Sequence, residues 1–153
     1  MVQNKKTVLF VCSGNTCRSP MAKVILEHKL KELSILGHFT VESAARDAPS
    51  STKASPYARE AIKMLYGEDL LAGYKPKSLT PELIEKADLI LVMTADMKHG
   101  LPLAKTYTVT EYGGGAGDIM DPYGSDLGCY LKCAKELSKA IDNVVARDFK
   151  TKS

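Results

Sequence analysis

Near the N-terminus an unbroken apolar run, Val8-Leu9-Phe10-Val11, enters Cys12 and then the turn Ser13-Gly14-Asn15-Thr16-Cys17 ahead of Arg18. This order constrains the fold more than any other feature of the chain. An apolar run without alternation suits a strand covered on both faces, as inside a parallel sheet. Ser19-Pro20 then opens a segment in which Met21, Ala22, Ile25, Leu26, Leu30 and Leu33 fall on one helical face. Strand, tight turn and helix in that order begin a strand–helix–strand unit.

The alternation continues along the chain. Further strands are expected at 39–44, 89–93 and 106–109. Ser55-Pro56 opens a second helix with Ala58, Ala61, Ile62 and Leu65 in one stripe and Gly67 as its stop. Thr80-Pro81 opens a short third. In all three helices a hydroxyl residue is expected at the N-cap, with proline at the first helical position. A final helix over 126–148 places Leu127, Leu131, Ala134, Leu137, Ile141 and Val144 or Val145 along one side. The pattern predicts an α/β fold: a single doubly wound domain over 1–153, with a parallel sheet and helices on both faces. Such sheets hold ligands at the carboxyl ends of their strands, where the strand order reverses. The turn after Cys12 lies at such an end.

Composition narrows the class of partner. A charged fraction of 25% and a net charge of +3, with no arginine-rich block, give no case for nucleic acid. No segment approaches the roughly 20 apolar residues of a membrane span, so no membrane partner is expected. The opening Met-Val-Gln-Asn-Lys-Lys lacks the apolar core of a secretory signal, which points to the cytoplasm.

The turn itself suggests chemistry. Consecutive backbone N–H groups in a tight loop converge on an anion, and a following helix adds its positive dipole end. Arg18 can grip two phosphate oxygens with its planar fork. The same field favours the anionic form of the Cys12 sulfur and makes it a nucleophile for phosphoryl transfer through a phosphocysteine. Zinc is the rival reading for the cysteines. Neither Cys12/Cys17 nor Cys129/Cys133 has Cys-x-x-Cys spacing, and Arg18 repels a cation, so neither a metal nor another cofactor is expected. A Cys12–Cys17 disulfide is expected as a reversible oxidation cap, with Cys17 as the resolving thiol. Cys129 and Cys133 are read as packed core residues, and His28, His38 and His99 as surface residues.

These residues resemble the signature of the low-molecular-weight protein tyrosine phosphatase family, and the resemblance runs from Val8 to the last helix. Its second anchor is Asp121-Pro122-Tyr123, which is similar to the family's general-acid loop. The resemblance implies a four-stranded sheet in the order 2-1-3-4. It implies Cys12 as nucleophile, Arg18 as phosphate and transition-state clamp, and Asp121 as proton donor. Ser13, Gly14, Asn15, Thr16 and Cys17 would form the phosphate-binding loop. Asn15 would hold that loop's strained backbone, Ser19 would hydrogen-bond the sulfur anion, and Tyr123 would wall the substrate ring. The partner is then a phosphorylated protein, and inorganic phosphate a product.

The connection over 111–125 is long and glycine-rich, and it reads as a flexible arm that swings Asp121 over the cup. Asp118 competes for the acid role but lacks the following Pro-Tyr. Two positions bear on specificity. Thr16 stands where the tyrosine phosphatases usually have isoleucine, and Gly124 where they often have a second aromatic. The protein arginine phosphatase branch shows the same threonine and a similar Asp-Pro-aromatic-Gly run, so phosphotyrosine and phosphoarginine both stay open. Tyr74 replaces a histidine that bonds the loop asparagine, and Ala45 replaces a glycine. Asp96 reads as a helix cap ahead of a loop-supporting carboxylate. The alternatives are a thioredoxin-coupled arsenate reductase on the same scaffold, or a non-catalytic phosphate-binding module.

Overall fold

The computed structural model describes residues 5–14, 17–47 and 52–149. Four strands, β1 (Lys6–Cys12), β2 (Phe39–Ala45), β3 (Leu89–Val92) and β4 (Thr106–Thr108), form one parallel sheet in the order β2-β1-β3-β4. Order and fold class are as expected. Residues 8–12 of β1 and all of β3 are buried. Successive strand side chains point to opposite faces, so continuous burial requires cover on both.

The helices are α1 (Arg18–Glu32), α2 (Pro56–Tyr66), α3 (Pro81–Lys86), α4 (Val109–Tyr112) and α5 (Leu127–Val144). α5 packs along α1, α2 and α4 and ties the domain together through Tyr130, Cys133, Ala134, Leu137, Ala140, Ile141 and Val144. Its axis continues as a widened turn over Val145–Phe149, and both Val144 and Val145 are buried. Among the described residues no helix is long and apolar enough to cross a membrane.

Several expectations need correction. The first helix begins at Arg18, two residues earlier than Ser19-Pro20 suggested, with Cys17 at its N-cap and no side-chain cap bond. Ser55 also makes no cap bond, whereas Thr80 accepts from the Leu83 amide as expected. Leu33 is exposed, because it sits at the C-cap, where the helical face has already turned away. Leu127 and Leu131 are only half-buried, and Cys129 is exposed while Cys133 is buried. The seam of α5 therefore runs through Tyr130 rather than through its leucines at 127 and 131. His28 is half-buried against the Tyr66 ring, with centroids 4.7 Å apart. The fourth strand stops at Thr108, whose hydroxyl caps α4 by accepting from the Glu111 amide while Glu111 accepts from the Thr108 amide. Ala45 is ordinary strand, its amide donating to Lys77 O and its carbonyl accepting from Leu79.

Candidate active site

β1 delivers Cys12 to the carboxyl end of the sheet, where its Cα pairs with Ala45 on β2. Beyond it, the segment after β2 holds two backbone carbonyls: Arg46 N–H donates to Cys12 O at 2.8 Å and Asp47 N–H to Ser13 O at 3.0 Å. Arg46 is itself fixed by donation to Met97 O at 2.8 Å and to His99 O. Ser13 and Gly14 are half-buried. Asn15 and Thr16, expected in the same loop, lie outside the described residues.

The first turn of α1 faces back onto this strand end. Ser19 is fully buried, and its Oγ lies 2.9 Å from Cys12 Sγ. The hydroxyl that reads in the sequence as a helix cap therefore serves the sulfur. Cys17 is buried too, and its Sγ lies 3.5 Å from the Tyr130 hydroxyl on α5. Burial, reinforced by that contact, pushes the Tyr130 hydroxyl up to about 12, while a hydrogen bond with Ser55 opposes the shift. Ser55 is thus tied to α5 across the fold. The Tyr57 ring packs edge-on against Tyr130 at 5.5 Å.

Arg18 links the loop to the acid segment. Its Nη1 donates to Ile119 O at 2.9 Å, and its Nη2 lies 3.6 Å from Asp121 Oδ2. The segment is pinned just ahead of Asp121. Ile119 N–H donates to Met93 O at 2.9 Å, and Asp118 Oδ1 accepts from Ala95 N–H at 2.9 Å. Asp118 is therefore committed to capping the short turn Ala95–Lys98, a task expected of Asp96, which instead accepts from the Thr94 hydroxyl at 2.5 Å. The arm is not free along its length, because residues 118 and 119 are strapped to the segment that follows β3, and Ile119 and Pro122 are buried within an otherwise exposed run. In that run Asp121 Oδ1 accepts from Tyr123 N–H at 3.0 Å, and Ser125 N–H donates to Pro122 O at 2.9 Å. Gly124 has φ +81°, and a Cβ there meets nothing within 4 Å, so backbone conformation rather than space favours glycine. Tyr123 is exposed beside it.

Two further residues complete the surroundings. Burial pushes the Cys133 thiol up to about 12 against the pull of the Arg18 guanidinium, and its Sγ lies 3.8 Å from Met120 O. The Tyr74 hydroxyl pairs with buried Ser43 on β2, which ties its segment to the sheet next to the loop. Sequence reading missed Tyr130, Ser43 and the Ile119 carbonyl. Only Tyr130 left a trace: it falls on the α5 stripe with Ala134, Leu137 and Ile141, and its polar tip needs a partner when buried.

The profile of the family described as low molecular weight phosphotyrosine protein phosphatase matches residues 7–152. The chain is similar to the protein-arginine-phosphatase of Bacillus subtilis (strain 168), with 35% identity over 88% of this chain and 91% of the relative. The crystal structure of a low molecular weight protein tyrosine phosphatase from T. tengcongensis superimposes with a TM-score of 0.85 at 39% identity, covering 94% of this chain and 99% of that one. A mutant of the YwlE arginine phosphatase with a phosphorylated active-site serine gives a TM-score of 0.81 at 32% identity, covering 93% and 97% of the two chains.

Proposed function

As a member of the low molecular weight phosphotyrosine protein phosphatase family the chain is a cysteine-dependent protein phosphatase, and we propose that Cys12, Arg18 and Asp121 carry its chemistry. One observation supports this reading most. Adjacent residues of α1 reach both the sulfur and the carboxylate: Ser19 lies 2.9 Å from Cys12 and Arg18 lies 3.6 Å from Asp121. The loop amides and Arg18 bind the non-bridging oxygens of a phosphorylated side chain. The Cys12 sulfur attacks phosphorus in line, forming the S–P bond as the bond to the leaving group breaks, and Asp121 gives that group a proton. Asp121 then takes a proton from water, which attacks phosphorus, releases inorganic phosphate and restores Cys12. Positioning and charge stabilisation carry most of such a transfer, and Arg18 with the loop amides supplies both.

We place phosphoarginine ahead of phosphotyrosine as the substrate group. Thr16 offers a hydroxyl to a guanidinium where isoleucine offers none. A second aromatic at position 124 meets a positive φ that L side chains rarely adopt, which leaves Tyr123 as a single wall. Cys12 and Cys17 form the redox pair, both of them buried at the mouth of α1. An arsenate-reducing relay through α5 is disfavoured, because Cys133 is buried with its thiol held protonated and Cys129 is on the outside. Turnover of an aryl phosphate separates the enzyme from a mere phosphate-binding module. Thr16→Ile, assayed on matched phosphoarginine and phosphotyrosine peptides, is expected to shift preference toward phosphotyrosine. An unchanged ratio removes Thr16 from the specificity argument.

A further inference from the structure

Two routes join the nucleophile to the acid segment. One runs through α1, where Ser19 meets the Cys12 sulfur and Arg18 reaches Ile119 O and Asp121. The other runs behind the loop through Arg46. Its backbone N–H donates to Cys12 O at 2.8 Å. Its half-buried side chain donates from Nη1 to Met97 O at 2.8 Å and from Nη2 to His99 O. Those carbonyls lie at the end of the short turn Ala95–Lys98, and the Asp118 carboxylate holds the start of the same turn at Ala95 N–H, 2.9 Å away. The turn is thus gripped by a guanidinium at its carbonyl end and a carboxylate at its amide end, both through charge-assisted bonds. Just before it, Met93 O accepts from Ile119 N–H at 2.9 Å. A shift of the turn therefore shifts residues 118 and 119, and with them Asp121 two positions on.

The routes differ in what a substrate does to them. Arg18 has to turn its fork to the phosphate, so its hold on Asp121 is shared with the substrate. Arg46 gives its bonds to the main-chain carbonyls of Cys12, Met97 and His99, none of which the phosphate needs. We propose that Arg46 is a positioning residue for proton transfer: it locks the 95–98 turn to the strand end that carries the nucleophile, and so fixes where the Asp121 carboxyl stands over the phosphate. The proposal rests on the phosphatase reading above and acts through Asp121, with no part for the Arg46 guanidinium in the chemistry itself.

The test compares kcat/KM, which reports formation of the phosphocysteine, on an alkyl phosphate and on p-nitrophenyl phosphate. Arg46→Met keeps the main-chain N–H and removes both side-chain bonds. It is expected to lose about tenfold on the alkyl phosphate and to stay within about twofold on p-nitrophenyl phosphate, whose leaving group needs little help from an acid. Arg46→Lys keeps one donor and is expected to fall between wild type and Arg46→Met; it carries the same comparison should the methionine variant fail to fold. In an Asp121→Asn background Arg46→Met is expected to change the alkyl phosphate rate by less than about twofold, because the carboxyl it positions is gone. A merely structural role lowers both substrates alike and multiplies with Asp121→Asn. Either of those results, or an unchanged rate on the alkyl phosphate, overturns the proposal. Absence of wild-type turnover on p-nitrophenyl phosphate is a different result and strikes the phosphatase reading itself.

Discussion

Arg18 and Asp121 are 3.6 Å apart, yet the arginine side chain is 5% exposed and the aspartate 46%. The anion-binding half of the site grows out of the sheet: Cys12 ends a buried strand, and Arg18 and Ser19 begin a buried helix. Ser19 meets the Cys12 sulfur inside this buried half, while Arg18 reaches out of it to Ile119 and Asp121. The acid half stands on an exposed turn, strapped at Ile119 and capped again at Asp126, whose carboxylate accepts from the Cys129 amide. The difference follows from the task. Charge stabilisation works best where dipoles are fixed and water is scarce, whereas a proton donor must meet both a leaving group and a water.

This contrast can be broken or sharpened by mutation. Cys12→Ser is expected to abolish turnover by about four orders of magnitude or more while calorimetry still detects phosphate or vanadate binding. Residual turnover near the wild-type rate would remove the sulfur from the mechanism. Arg18→Lys comes next, with a loss of roughly a thousandfold in kcat, since a point charge replaces both the fork and its bond to Ile119 O. A loss confined to KM would show that Arg18 only binds. Asp121→Asn is expected to cost about 100- to 1,000-fold on alkyl phosphates and far less on nitrophenyl phosphate. Equal losses on both would exclude Asp121 as the acid.

Smaller effects test rigidity rather than chemistry. Tyr130→Phe removes the hydroxyl held between Cys17 and Ser55. Its expected cost is about 1 kcal/mol of stability, or roughly 2–4 °C in melting temperature, with kcat within about twofold. A large kcat loss at unchanged stability would place Tyr130 in the chemistry. The smallest effect lies away from the site. The Lys6 ammonium and the Tyr112 hydroxyl hold the Asp148 carboxyl below the usual carboxylate range. Its folded value is depressed, so its contribution is complete above about pH 4 and is lost as pH falls through the lower folded value. The gap in melting temperature between the wild type and Asp148→Asn is therefore expected to be open at pH 7 and to close in acid. A gap independent of pH would show that the pairing carries no linkage.

Much of the buried half was legible in the sequence, because unbroken apolar runs and helical stripes record burial directly. The strand order was not. It came from the resemblance, since periodicity says nothing about which strands are neighbours. Ser19 and Ser55 misled as caps because a hydroxyl before a proline looks the same whether it serves the backbone or a distant partner. The strap at Ile119 left no trace, since it uses main-chain atoms that every residue has. Cys129 and Leu33 sit near helix ends, where a small change in the start or stop rotates a side chain off the core.

The paired carbonyls of Cys12 and Ser13 have a consequence for the field at the loop. Each accepts from an amide of the segment after β2, so each dipole is already directed at that segment. The orientation of these two dipoles is in this way set by main-chain pairing, which most side-chain substitutions leave in place. Arg46→Pro deletes one of the two donors. It frees the Cys12 carbonyl from its partner and is expected to weaken phosphate binding measured by calorimetry, although no residue of the turn itself has changed; unchanged affinity would show that this bond does not support the loop.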